Sequence, residues 1–70
     1  MEESTLYAVY DELLSKVNLL QAEINIHMDM LNMPGVASET RKYSAMILKV
    51  KFKQLSATHD TLAEVIQKLF

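Results

Sequence analysis

The sequence contains no cysteine and no tryptophan, and it has one glycine and one proline. Without cysteine the chain has no disulfide, no thiolate metal ligand and no thiol catalysis. One glycine cannot form a glycine-rich loop that holds phosphate. These absences exclude several common classes of enzyme site.

The chain also lacks a large excess of charge of one sign, and it lacks long apolar runs. The net charge is −2, which gives no long-range attraction for nucleic acid or for an acidic membrane surface. No run of about 18 apolar residues predicts a membrane span. Glu2 and Glu3 make the start acidic, unlike a secretory signal. We therefore expect a cytoplasmic protein.

What the chain does have is apolar content, because half of its residues are hydrophobic. That is too much for a disordered chain. Seventy residues form one small domain, and below roughly 70–80 residues a single core rarely supplies more than about 3–5 kcal/mol. Without disulfides, such a chain relies on regular helix packing or on a partner.

The first long pattern predicts a helix over residues 5–32, with Ser4 or Thr5 as its N-cap. Apolar residues recur at spacings of three and four, which is the seven-residue repeat of a coiled-coil seam. The seam positions d and a are occupied by Leu6, Tyr10, Leu13, Val17, Leu20, Ile24, His27 and Leu31.

Pro34 and Gly35 predict a turn over residues 33–37, followed by a second helix over 38–69 with Ser38 as its cap. The predicted seam of this helix consists of Ala45, Leu48, Phe52, Leu55, His59, Leu62, Ile66 and Leu69. The short turn makes the helices antiparallel neighbours. The predicted fold is all-α, a single domain over 1–70 that forms an antiparallel two-helix hairpin.

An alternative arises in the second helix. Residues 48–53 alternate apolar and basic side chains, which is typical of a strand. Thr61 and Glu64 also have the spacing of a capping box that would start a separate short helix. The seam continues through both regions and favours one helix.

A second apolar strip lies near the turn on both predicted helices. It extends the apolar arc to about 200°, which a single antiparallel neighbour cannot cover. We therefore expect the hairpin to complete a four-helix bundle, by dimerisation or with a helical partner. The residues predicted to bind that partner are Leu19, Ile26, Met28, Met30, Met33, Tyr43, Met46, Ile47 and Val50.

No catalytic, cofactor-binding or metal-binding residue is predicted. His27 and His59 both occupy seam positions, and in a hairpin they lie roughly 20 Å apart along the axis. They therefore cannot share a metal within one chain, and we expect them to be partly buried structural residues. The carboxylates are scattered, so we expect no enzyme activity and no small-molecule substrate.

Five basic residues lie between Arg41 and Lys53. They are a candidate nucleic-acid surface. Around a helix they spread over several directions, which favours solvation of an apolar helix and pairing with acids of the first helix.

The layout from Leu6 to Met33, the break at Pro34-Gly35, and the second segment from Tyr43 to Leu69 resembles the small co-chaperones of type III secretion needle subunits. That family folds as helical hairpins and binds a tetratricopeptide-like chaperone that holds the needle subunit. No functional residue is carried over. The methionines at the turn and the Lys49–Lys53 alternation differ from the family's Gln- and Glu-rich second helix.

Together these patterns predict a non-enzymatic protein–protein interaction module. Its predicted role is that of a small chaperone or adaptor that binds a helical partner through exposed apolar helix faces. One alternative is a regulator or inhibitor of a larger enzyme or transcription factor. The other is nucleic-acid binding through residues 41–53.

Overall fold

The computed structural model describes residues 2–70 as two antiparallel α-helices. Helix α1 spans Glu3–Asn32 and helix α2 spans Ser38–Leu69. The hairpin measures 52 × 14 × 14 Å. This confirms the predicted all-α hairpin. Residues 48–53 and 61–64 lie inside α2, so the strand and the separate short helix are wrong.

The turn reverses the chain through one left-handed residue. Gly35 has φ of 79°, a conformation that glycine adopts without the steric cost that a Cβ imposes. The Arg41 guanidinium donates a hydrogen bond to the Met33 carbonyl oxygen over 3.2 Å. That bond ties the first turn of α2 to the end of α1.

Both helices begin earlier than their predicted caps allow. The N-cap residues are Glu2 and Ala37, and neither makes a side-chain capping bond. Ser4, Thr5 and Ser38 were therefore wrongly predicted as caps. Their hydroxyls lie inside the first helical turn, whereas a cap must precede the helix to accept bonds from its first N–H groups.

The core between the helices is small. Leu6, Leu20 and Ile24 of α1 pack with Leu48 and Val65 of α2, and all five are buried. The predicted seam of α1 is confirmed, since each of its eight residues is buried or half-buried.

The seam of α2 differs from the prediction at every second position. The α2 residues that point toward α1 are Ser44, Leu48, Lys51, Leu55, Thr58, Leu62, Val65 and Leu69. The four leucines were predicted. Ala45, Phe52, His59 and Ile66 were predicted to lie inside, but they are exposed.

A rotation of α2 of about 50° relative to the predicted packing accounts for this difference. Two polar contacts accompany it. The Lys51 ammonium lies 2.8 Å from a carboxylate oxygen of Glu23 on α1. The Thr58 hydroxyl donates to the Gln54 carbonyl over 2.7 Å, so that it enters the interface with its donor satisfied.

Candidate protein-interaction surfaces

The apolar residues left outside the core lie along two edges of the hairpin. In heptad notation, positions a and d face the other helix, e lies along one edge, and g and c lie along the other. In an antiparallel pair the g positions of the two helices adjoin. Lys16, Gln54 and Thr61 all occupy g positions, and they line one common groove. The e positions therefore adjoin on the opposite edge.

The first surface, which we call the turn patch, occupies the g and c edge in the half of the hairpin nearer the turn. Its side chains belong to both helices and to the turn, and most of them are exposed. The turn patch consists of Leu19, Ile26, Met30, Met33, Tyr43, Ile47 and Val50. Met30 and Ile47 are half-buried, while Leu19 and Ile26 are exposed by 62% and 61%.

Seven of the nine predicted partner-binding residues therefore share one side of the hairpin. The other two lie elsewhere, although both are exposed. Met28 occupies an e position on the opposite edge. Met46 occupies the f position on the outer side of α2. A partner that lies against the turn patch would not contact these two methionines.

The second surface, which we call the Phe52 face, follows the e edge along the whole hairpin. Its members are Tyr7, Leu14, Met28, Ala45, Phe52, His59 and Ile66, with Phe70 at the end. The ring of Phe70 packs edge-on against that of Tyr7, with centroids 6.3 Å apart and planes at 84°. Sequence reasoning missed this surface because the α2 members other than Phe70 were expected inside the hairpin.

The polar residues of α2 were the available signal for this surface. Ser44, Lys51 and Thr58 recur every seven residues beside the leucine column. The column that contains Phe52 and Ile66 lies on the other side of the same leucines. With it, the apolar stripe of α2 is wider than one neighbouring helix can cover.

A further concave feature is an open groove of about 420 Å³. It lies on the g edge, in the half away from the turn. Small side chains of α2 leave this space next to α1. The groove is lined by Leu13, Lys16, Gln54, Ala57, Thr58 and Thr61.

The two histidines have different environments. His27 is half-buried, and its Nδ1 is buried without a hydrogen-bond partner among residues 2–70. His59 is exposed on the Phe52 face, so its predicted burial is wrong, for the same rotation of α2. Within the described chain, no three histidine or acidic side chains lie close enough to hold a metal ion.

Three of the five clustered basic residues make polar contacts. Lys51 pairs with Glu23 across the helices, Lys42 lies 3.9 Å from Glu39, and Arg41 binds the Met33 carbonyl. The Lys51 contact agrees with the expected pairing to acids of the first helix. It also removes one charge from any nucleic-acid surface.

Comparison with protein-family models, with curated proteins and with solved structures found no match for this chain. Within residues 2–70, neither helix has an apolar stretch long enough to cross a membrane.

Proposed function

We propose that this chain is a non-enzymatic protein-interaction module, a small chaperone or adaptor that shields an apolar helix of its partner with the turn patch. The observation that supports the proposal is the patch itself. Seven apolar side chains of α1, the turn and α2 lie on one side of the same half of the hairpin, and five of them are exposed.

The size of this surface requires an explanation. The largest contiguous apolar patch on a monomer is typically about 300–600 Å² and is often functional. Leu19, Ile26 and Tyr43 are each more than 60% exposed, in a protein whose total accessible surface is 5190 Å². An apolar partner would remove these side chains from water.

The shape and chemistry of the patch suit a helix as that partner. Two antiparallel helices leave a shallow furrow along their shared edge, and an amphipathic helix can lay its apolar face into such a furrow. Met30 and Met33 lie near the tip, where flexible thioether side chains can adapt to different apolar partners. The resemblance to secretion co-chaperones supports the same kind of activity.

The test is capture of binding proteins from host lysate with three versions of the chain. Ile26→Asp puts a charge in the centre of the turn patch. Ala22→Asp puts the same charge on the outer side of α1, away from both surfaces, and serves as the matched control. Circular dichroism establishes that all three remain helical.

We expect a stoichiometric partner to bind the wild type and Ala22→Asp but not Ile26→Asp. Retention of the same partner by Ile26→Asp contradicts the proposal. Recovery of nucleic acid that dissociates steeply with added salt would instead support the basic segment as the functional surface.

A further inference from the structure

We propose that a second copy of this chain covers the Phe52 face, so that two hairpins form a four-helix homodimer. This inference is independent of the proposed function. The turn patch lies on the opposite edge of the hairpin and stays accessible in such a dimer.

The column pattern of α2 is the first argument. A helix in a two-stranded coiled coil has apolar a and d columns, whereas a helix in a bundle has apolar a and d columns plus e or g. In α2 the a column begins with Arg41 and continues as leucine, at Leu48, Leu55, Leu62 and Leu69. The d column is mostly polar, while the e column carries Phe52 and Ile66. The second apolar column of α2 therefore points away from α1.

α1 completes the surface from its own e column. Tyr7, Leu14 and Met28 lie beside the e column of α2, because e positions adjoin in an antiparallel pair. The combined face runs from Phe70 and Tyr7 at one end to Met28 near the turn. Both helices thus contribute to one stripe along a hairpin that is 52 Å long, and exposed Gln21 interrupts it on α1.

The apolar area of the face is a large part of what a dimer needs. The exposure of its large side chains ranges from 39% for Ile66 to 80% for Phe70. With about 150–250 Å² for an aromatic side chain, these residues offer roughly 500 Å² of apolar surface. That is more than half of the approximately 800 Å² per partner that a stable interface buries.

The charges favour a second copy as the occupant. None of the nine e positions in the two helices carries Asp, Glu, Lys or Arg, and the b positions that flank them carry one acid, Asp11, and two bases, Lys42 and Lys49. Stacking one copy on another therefore brings no row of like charges together. The opposite edge carries five charges, at Glu12, Lys16, Glu23, Glu64 and Lys68.

The length of the face points to the same occupant. A compact partner would cover only part of an elongated stripe. A second hairpin of the same length covers all of it, and its own Phe52 face is buried in return, as in an isologous interface. This also enlarges a core that has five buried hydrophobic residues among residues 2–70 of each chain.

Sedimentation equilibrium over the micromolar range tests the proposal with two variants of α2. Phe52→Asp charges the Phe52 face, and Val50→Asp charges the turn patch. The two positions have similar exposure, 48% and 53%, and differ in the edge on which they lie. We expect dimers of the wild type and of Val50→Asp, and a dissociation constant raised by at least about 30-fold in Phe52→Asp.

A crosslinking experiment covers the case in which Phe52→Asp unfolds. The photoreactive amino acid benzoylphenylalanine replaces Phe52 in one preparation and Val50 in another. Irradiation should join two chains from position 52 and leave single chains from position 50.

A monomeric wild type overturns the inference, and so does a dimer that Val50→Asp dissociates and Phe52→Asp leaves intact. The proposed function fails separately, when Ile26→Asp retains the partner protein. A dimeric Ile26→Asp that has lost its partner supports both.

Discussion

Two neighbouring columns of side chains on α2 differ in chemistry. The inward column faces α1, and the outward column faces away from it. The inward column is Ser44, Lys51, Thr58 and Val65, and the outward column is Ala45, Phe52, His59 and Ile66. The inward column is the more polar, although Ser44 is 1% exposed and Phe52 is 48% exposed. Burial inside one hairpin therefore does not follow hydrophobicity. Within residues 2–70, eleven large hydrophobic side chains are exposed and five hydrophobic side chains are buried, so most of the large apolar side chains lie outside this core.

The largest effect that tests this contrast comes from a pair of adjacent leucines in α1. Leu20 is 4% exposed in the core, and Leu19 is 62% exposed on the turn patch. We expect Leu20→Ala to lower the free energy of unfolding by about 2–5 kcal/mol, because it removes buried contacts and leaves a cavity.

Leu19→Ala is the matched control, with an expected change of about 0.5 kcal/mol or less. Thermal unfolding followed by circular dichroism at equal chain concentration measures both. Equal destabilisation by the two variants would mean that the turn patch is itself buried in the folded assembly.

A smaller effect concerns the ion pair between Lys51 and Glu23. The two side chains retain 23% and 34% of their exposure, so the pair lies between surface and buried behaviour. Glu23→Gln removes one charge and should destabilise the hairpin by roughly 1–2 kcal/mol, because the partly buried ammonium loses its partner.

The double variant Lys51→Met, Glu23→Met should behave differently, with unchanged or raised stability, because apolar residues of similar length replace both partners and neither charge is left unpaired. Urea unfolding measures the single and the double variant. If the double variant is as destabilising as Glu23→Gln, the ion pair itself stabilises the hairpin rather than being tolerated within it.

The smallest effect concerns the inward column of α1, where His27 interrupts Leu6, Leu13 and Leu20. Its Nδ1 is buried without a hydrogen-bond partner within residues 2–70. We expect His27→Leu to raise the free energy of unfolding by about 1 kcal/mol, because it removes an unsatisfied polar atom from the interface. Gln67, exposed at an f position on the outer side of α2, is the control, and Gln67→Leu should leave the free energy of unfolding of the hairpin nearly unchanged. A loss of stability in His27→Leu would show that the imidazole makes a contact that a leucine cannot replace.

The periodicity of the sequence was sufficient for the helices, the turn and the inward face of α1. In α1 the seam positions are nearly all apolar, so only one packing direction buries them. The turn followed from the chemistry of Pro34 and Gly35, since a positive φ is easily adopted by glycine.

The face of α2 that packs against α1 could not be predicted in the same way. Its leucine column is flanked by one polar column and one apolar column, and periodicity alone favours the apolar one as the inward neighbour. In the observed packing Lys51 pairs with Glu23, which is on the other helix, and the hydroxyl of Thr58 bonds back to its own helix. Neither contact is visible in the pattern of α2 alone.

The partner-binding residues were predicted as one set because all of them lie near the turn. Position along the axis does not fix direction around it, and Met28 and Met46 lie on other sides of the hairpin.

The predicted caps failed for a related reason, because a helix start that shifts by one to three residues moves a hydroxyl from the cap into the first turn.

The open groove beside Thr58 has a consequence for how the hairpin loosens. It separates Leu20, Ile24 and Leu48, nearer the turn, from Leu6 and Val65 at the other end. Between the two groups Leu13 and Leu55 are half-buried rather than buried, and regions with fewer buried contacts open at lower free energy than the rest. Amide hydrogens in the segment away from the turn should therefore exchange with solvent through local opening, while those around Ile24 wait for the whole hairpin to unfold.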